Sequence, residues 1–409
     1  MSIKRLVFMM CWGGLFFDFL LYSINTYYMD LGGVGQLYQS IIKCTLIAIF
    51  FCVYIYRGAF WNKGFFIDCV LLVIFGYVLL VVLINKDIKG DAGGNFINAL
   101  DFHKGYLINY IFYYFLGKSI ILVIDSEWFT RIVKYTFIIA SCIILFSLDT
   151  SRTLFNSVID SDLYKGSYLQ IGDFFSIIVL VFLPYVNYNK KIHIVAFSLV
   201  ILYFIGSRGS LYAFSFSILC VFLLSKLHSA RENNFSTLNI AKFFLLAAVV
   251  LIAIYMISGE INLYEIIDIR MLAIIFGIEN DYSMVARDVL MEQGLNDIIS
   301  NPLSGYFAGQ LYHAGDDQGP RWGAYIHSGL SYWRQFGLFP FLCYMSLWVY
   351  SIYLLWSFRL FKHTIRYQVS LLVFTFCFIE TLFIRSYFSS YLMVAFGLIS
   401  SLNVVKKNV

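Results

Sequence analysis

The chain has 409 residues, of which 60% are hydrophobic, 20% aromatic and only 13% charged, with a formal net charge of +5 and a mean hydropathy of +0.78. A water-soluble domain carries roughly 25% charged residues, so this composition excludes one, and the chain must be mostly embedded in lipid. In lipid each span has to be an α-helix or part of a closed barrel. The apolar runs are near ~20 residues and do not alternate with period two, which selects helices.

Hydropathy predicts twelve spans, in chain order 6–25, 37–56, 65–85, 105–124, 132–148, 170–187, 192–206, 209–225, 240–258, 333–357, 368–384 and 387–403. Basic residues flank them alternately: Lys4 and Arg5, Arg57 and Lys63, Arg131, Lys190 and Lys191, Lys226, Arg231 and Lys242, Arg359, Lys362 and Arg366, then Lys406 and Lys407. The positive-inside rule puts these on the cytoplasmic face, with both termini cytoplasmic. That flanking accounts for the net positive charge, so no nucleic-acid partner is expected. The first helix is expected to be retained, because no small-residue cleavage site follows it within reach. Three regions result: helices one to nine in 1–258, a large loop in 259–332, and helices ten to twelve in 333–409.

Cys11, Cys44, Cys52, Cys69, Cys142, Cys220, Cys343 and Cys377 all fall inside predicted spans. This is apolar packing, with no disulfide framework and no cysteine metal site. Asp18, Lys43, Lys118 and Lys134 also fall inside spans, where ionisable groups are costly. They either line a polar path or form structural pairs.

The loop between the ninth and tenth spans holds much of the outward chemistry, including Arg270, Asp281, Arg287, His313, Asp316, Asp317, Arg321 and His327. Within it "YSMVARDVLMEQGLNDIIS" predicts a helix with Gly294 as its weak point, and "NPLSG" at 301–305 predicts the turn that ends it. His313, Asp316, Asp317 and His327 have the atoms for Mn or Mg, but "HAGDD" is equally a hydrated turn, and no metal or other cofactor is expected.

Three motifs follow one another: "GSRGS" at 206–210, "ARDVLMEQGLNDIISNPLSGYFAG" from Ala286, and His327-Ser-x-Leu followed by a Phe-Gly-Leu-Phe-Pro turn into a membrane helix. In that order, over roughly 200–345, the chain resembles the O-antigen polymerase and O-antigen ligase superfamily. It departs from the family pattern at Ser328, where Asn is commoner, at Pro340, where a second Gly is commoner, and at Met291, often Trp. The resemblance implies an all-α, GT-C-like polytopic enzyme with its large loop in the periplasm of a bacterial inner membrane. It implies metal-independent transfer of sugars carried on undecaprenyl diphosphate, with inversion.

Carried onto this sequence, the resemblance makes Arg208, Arg287 and His327 catalytic. The arginines would hold the donor's diphosphate, since a guanidinium fork grips phosphate oxygens and keeps its proton. The histidine would serve the acceptor hydroxyl, as base or as donor-holding group, with Asp281 or Glu279 as alternative bases. Each has a plainer rival: Arg208 as a snorkelling anchor, Arg287 as a solvated helix residue, His327 as a hydrogen-bonded interfacial ring. Arg270, Arg321 and Arg334 are further candidates for the substrate, Arg334 facing headgroups. Arg385 either binds substrate or pairs with Glu380 to hold helices together. Tyr306, Tyr312 and Trp322 are placed to stack on sugar rings. A polymerase joining lipid-linked repeat units, with a separate chain-length regulator as partner, is the leading expectation. A ligase transferring the glycan to lipid A–core is the alternative, and a flippase of lipid-linked oligosaccharide the second.

Overall fold

The computed structural model describes residues 3–27, 40–49, 51–52, 64–91, 96–146, 167–229, 282–312, 322–323, 325–358 and 364–402. The predicted ninth span, Glu279, Asp281, Arg270, Arg321, His313, Asp316 and Asp317 lie outside them.

The described chain is helical: α1 (Ile3–Tyr27), α2 (Ser40–Ile49), α3 (Phe65–Ile84), α4 (Ala99–Val123), α5 (Glu127–Phe146), α6 (Ser167–Phe182), α7 (Tyr188–Ile205), α8 (Arg208–Ser229) and α9 (Tyr282–Ser300). After these come α10 (Leu330–Phe336), α11 (Leu338–Ser357), α12 (Ile365–Ile379) and α13 (Met393–Ser401). Short extensions join α6 (a 3-10 turn, Leu183–Tyr185), α12 (a π turn, Glu380–Ile384) and α13 (a 3-10 turn, Ser390–Leu392). A small antiparallel hairpin, β1 (Lys89–Asp91) with β2 (Phe96–Asn98), precedes α4. Among the described residues six helices are long and apolar enough to cross a membrane: α3, α4, α5, extended α6, α11 and extended α12. The protein is an all-α membrane protein.

α4 runs through the middle and α13 crosses it most closely. A Cβ on Gly117 would stand 2.2 Å from the Val394 carbonyl oxygen, and one on Gly397 2.1 Å from that of Tyr114. Only glycine lets two backbones meet in this way, a packing solution common where lipid removes the hydrophobic drive.

The charges inside predicted spans mostly resolve into pairs. Lys43 lies 2.7 Å from Asp18, which also accepts from the Tyr113 hydroxyl. Lys118 lies 2.8 Å from Asp68, which accepts from the Tyr114 hydroxyl. Neither pair leaves a lone buried charge, the costly case. Lys134, by contrast, is exposed on α5.

Two boundaries differ from the sequence expectation. The tenth span begins at Leu338 rather than 333, because Gly337 (φ 87°) breaks the chain into α10 and α11. A Cβ there would meet the Leu303 carbonyl oxygen at 2.2 Å, so the break is fixed by packing. Pro340 then sits in the first turn of α11, where its missing N–H costs nothing. Conversely, α9 runs unbroken through Gly294. A Cβ at that position would overlap Ile326 Cδ1 at 2.2 Å, so this glycine makes room for a neighbour.

Candidate functional site

At one end of the bundle three elements converge on Arg385. The π turn closes with the Arg385 N–H donating to the Glu380 carbonyl at 2.7 Å, which leaves Arg385 extended just beyond the helix. π turns of this kind are frequent at functional sites. The guanidinium grips Asp173 of α6 in two places, Nε to Oδ2 at 3.1 Å and Nη2 to Oδ1 at 2.9 Å. It also lies 3.2 Å from Glu380 Oε2 and donates to the Tyr391 and Ser210 hydroxyls at 3.2 and 3.4 Å.

The Gly206–Ser210 motif is the third element. Gly206 ends α7 in the left-handed region (φ 72°), and Arg208 opens α8. Glycines let this corner close in: a Cβ on Gly209 would meet Ile384 Cγ2 at 2.3 Å, and one on Gly172 would meet Ser207 and Ser210 at 2.7–2.8 Å. Ser210 donates to Asp173. Arg208 is half-buried at the head of this corner, next to the glycine that packs on Ile384 and Arg385.

His327 approaches from the other side. Its Nδ1 lies 3.3 Å from the Ile384 carbonyl oxygen. A carbonyl only accepts, so the hydrogen-bond network puts the proton on Nδ1 and leaves the lone pair on Nε2. Burial lowers the ring's pKa to about 4, with the charges of Arg287 and then Arg385 pushing the same way. The ring is therefore neutral at ordinary pH. Arg287, exposed on α9, is within electrostatic range of both His327 and Glu380. The structure thus brings His327, Arg287 and Arg385 around the π turn, with Arg208 beside them.

Arg334 and Tyr306 lie elsewhere. Arg334 is wholly buried in α10, with Nε and Nη2 at 2.8 and 2.7 Å from Asp297 Oδ2 of α9; it does not face headgroups. Tyr306 is half-buried, its N–H donating to the Arg334 carbonyl at 2.6 Å and its ring stacked on Tyr312 at 5.9 Å. Trp322 is buried against the β1–β2 hairpin, donating from Nε1 to the Ile97 carbonyl at 3.1 Å, and its ring is packed on Phe102. Among the described residues no three His, Cys, Asp or Glu side chains group to hold a metal ion.

Three residues of this region are not among the candidates read from the sequence. Asp173 and Asp297 are the partners of the two buried arginines. His103 is fully buried near the start of α4, with Nδ1 donating to the Ala99 carbonyl and Nε2 accepting from the Tyr387 hydroxyl, both at 2.7 Å. The Tyr387 N–H in turn donates to Ser331 Oγ at 2.6 Å. His103 thus braces the segment that carries Arg385. Asp173 carries a legible signal, an acid inside a predicted span, whereas His103 carries none.

Compared with models of known protein families, the chain matches none, and compared with curated proteins it also matches none. What the fold and site define is an all-α membrane protein with an arginine, histidine and carboxylate cluster at one end of its bundle.

Proposed function

We propose that the protein is an integral-membrane glycosyltransferase of the O-antigen polymerase type. In this reading it has twelve spans with the Arg385 end in the periplasm of a bacterial inner membrane, and it joins repeat units carried on undecaprenyl diphosphate. The observation that carries it is the convergence of Arg287 and Arg385 on a neutral His327 whose Nε2 lone pair is free of the backbone bond, with Arg208 at the neighbouring corner.

The acceptor hydroxyl attacks the anomeric carbon of the donor glycan. The bond from that carbon to the diphosphate oxygen breaks, the electron pair leaves with undecaprenyl diphosphate, and the configuration inverts. In this reading Arg208, Arg287 and Arg385 present guanidinium groups to the charge that develops on the phosphate. Fixed cations aimed at developing charge are worth about 3 kcal/mol each. His327 Nε2 accepts the acceptor's hydroxyl proton in the hydrogen bond that orients it. Because burial, and then the two arginines, make the ring a weak base, proton transfer comes late, as the diphosphate offsets the arginines' charge.

The test uses purified full-length protein with lipid-linked repeat units and EDTA. Polymer should form and should fail to form with His327→Ala. No polymer under any condition, or strict dependence on added metal, overturns the reading. Transfer onto lipid A–core without polymer would move the assignment to a ligase.

A further inference from the structure

Outside the cluster, the Asn301–Gly305 turn has a feature the proposed reaction does not use. Leu303 is 74% exposed and Ile299, one turn earlier on α9, is 76% exposed. These are large apolar side chains on a segment that no described element covers. Their surroundings are not those of a solvated loop. The Leu338 N–H donates to the Leu303 carbonyl at 3.2 Å, and the Trp333 Nε1 donates to the Pro302 carbonyl at 2.7 Å. A Cβ on Gly305 would meet the Gly337 nitrogen at 2.4 Å. The turn is thereby fastened, backbone to backbone, to the first residue of α11.

α11 is one of the helices long and apolar enough to cross a membrane, and its outward stripe starts with Phe339, 55% exposed, and Leu342. Leu295, Ile299 and Leu303 are exposed apolar side chains on the segment joined to the start of that span. The other half of α9 differs: its exposed residues include Arg287, Asp288 and Glu292. The end of α9 joined to this helix thus exposes Leu295 and Ile299 with Asn296 and Ser300 and no charged residue, whereas the other end sets charges beside Val289 and Met291. Trp333, half-buried and stacked on Phe341 at 5.1 Å, sits at the junction, where a membrane interface favours tryptophan.

We propose that the second half of α9 and the Asn301–Gly305 turn are seated in the bilayer, with Ile299 and Leu303 among acyl chains and Asp288 and Glu292 in water. The partner is the lipid surface itself. The consequence is metric: Arg287 is twelve residues from Ile299, about 18 Å along the helix axis, so the lipid contact sets how far Arg287 stands from the membrane. The inference is independent of the reaction proposed above.

The experiment is spin-label accessibility in lipid nanodiscs, with single cysteines at 288, 292, 299, 303 and 339 in a background lacking the eight native cysteines. Labels at 299 and 303 should match that at 339, readily reached by oxygen and at least fivefold less by a water-soluble nickel chelate than the label at 288. Nickel accessibility at 299 and 303 equal to that at 288 overturns the proposal. Protection of both from both reagents also overturns it, and points to a protein partner on this face. Where the cysteine-free background does not fold, brominated-lipid quenching reads the same depth in the native chain. A quenchable fraction should disappear with Trp333→Phe, and unchanged quenching overturns the proposal.

Discussion

Arg334 and Arg385 are both arginines buried against an aspartate, and they teach opposite lessons. Among the described residues Arg334 makes its ion pair with Asp297, and both are buried between α9 and α10, within a few ångströms of Gly294 and Gly309. Arg385 meets Asp173 a little less closely, but a second carboxyl group, two hydroxyls, a neutral histidine and the charge of Arg287 lie near it. The first arginine has one ionic partner among the described residues; the second has two, with further ionisable groups beside them. Burial alone does not separate a strut from a site, whereas the surplus of ionisable neighbours does.

The sharpest way to break that comparison is to truncate the closed pair. Arg334→Ala should take the buried guanidinium away from Asp297 and cost about 3–5 kcal/mol, read as a large fall in thermal unfolding temperature in detergent. Replacing both partners together, Arg334→Met with Asp297→Leu, should recover most of it. A single variant that unfolds like the native protein would deny the strut its role.

At the open pair, Arg385→Lys keeps a charge but loses the fork that spans Asp173. The protein should remain folded while its turnover of lipid-linked donor falls about 100-fold or more, as expected for one cation aimed at developing charge. An unfolded Arg385→Lys protein would make the two arginines alike after all.

A smaller effect concerns pH. His327 titrates in the folded protein near 4, below its ordinary 6.5. The unfolded chain therefore binds the extra proton between those values, so this residue's contribution to stability is complete above about 6.5 and is lost as pH falls toward 4. If the neutral ring serves the acceptor, kcat/KM should hold down to about pH 5 and fall nearer 4. An acid limb at 6.5 would place His327 in water. The smallest expected effect is the shift of that pKa in Arg287→Gln, which removes a charge that adds to burial in holding it down. The titration of His327, followed by NMR of labelled histidine, should move upward, and no movement would separate Arg287 from the site.

Much of the fold is legible in the sequence, because lipid demands long apolar helices and leaves few other patterns. The turn at 301–305 and the helix before it are likewise written in Asn-Pro and Gly chemistry. Of the candidate site, Arg287 and His327 can be found by motif, and Arg385 by its place at the end of a span. The pairings cannot. Asp173 lies 212 residues from Arg385, and Asp68 lies 50 from Lys118, so only packing brings them together. Hydropathy starts the tenth span before Arg334 and so faces it to the headgroups; the helix breaks at Gly337 instead, and Arg334 lies buried in α10.

The π turn has a further consequence. Its closing bond spans five residues, from Arg385 back to Glu380. It acts as a phase step: everything after it is advanced by one position, about 100° and 1.5 Å, relative to an uninterrupted helix. The Ile384 carbonyl that receives His327 owes its bearing to that step. A chain one residue shorter between 380 and 384 would keep its span, its hydropathy and every side chain named here. It would aim them at a different neighbour.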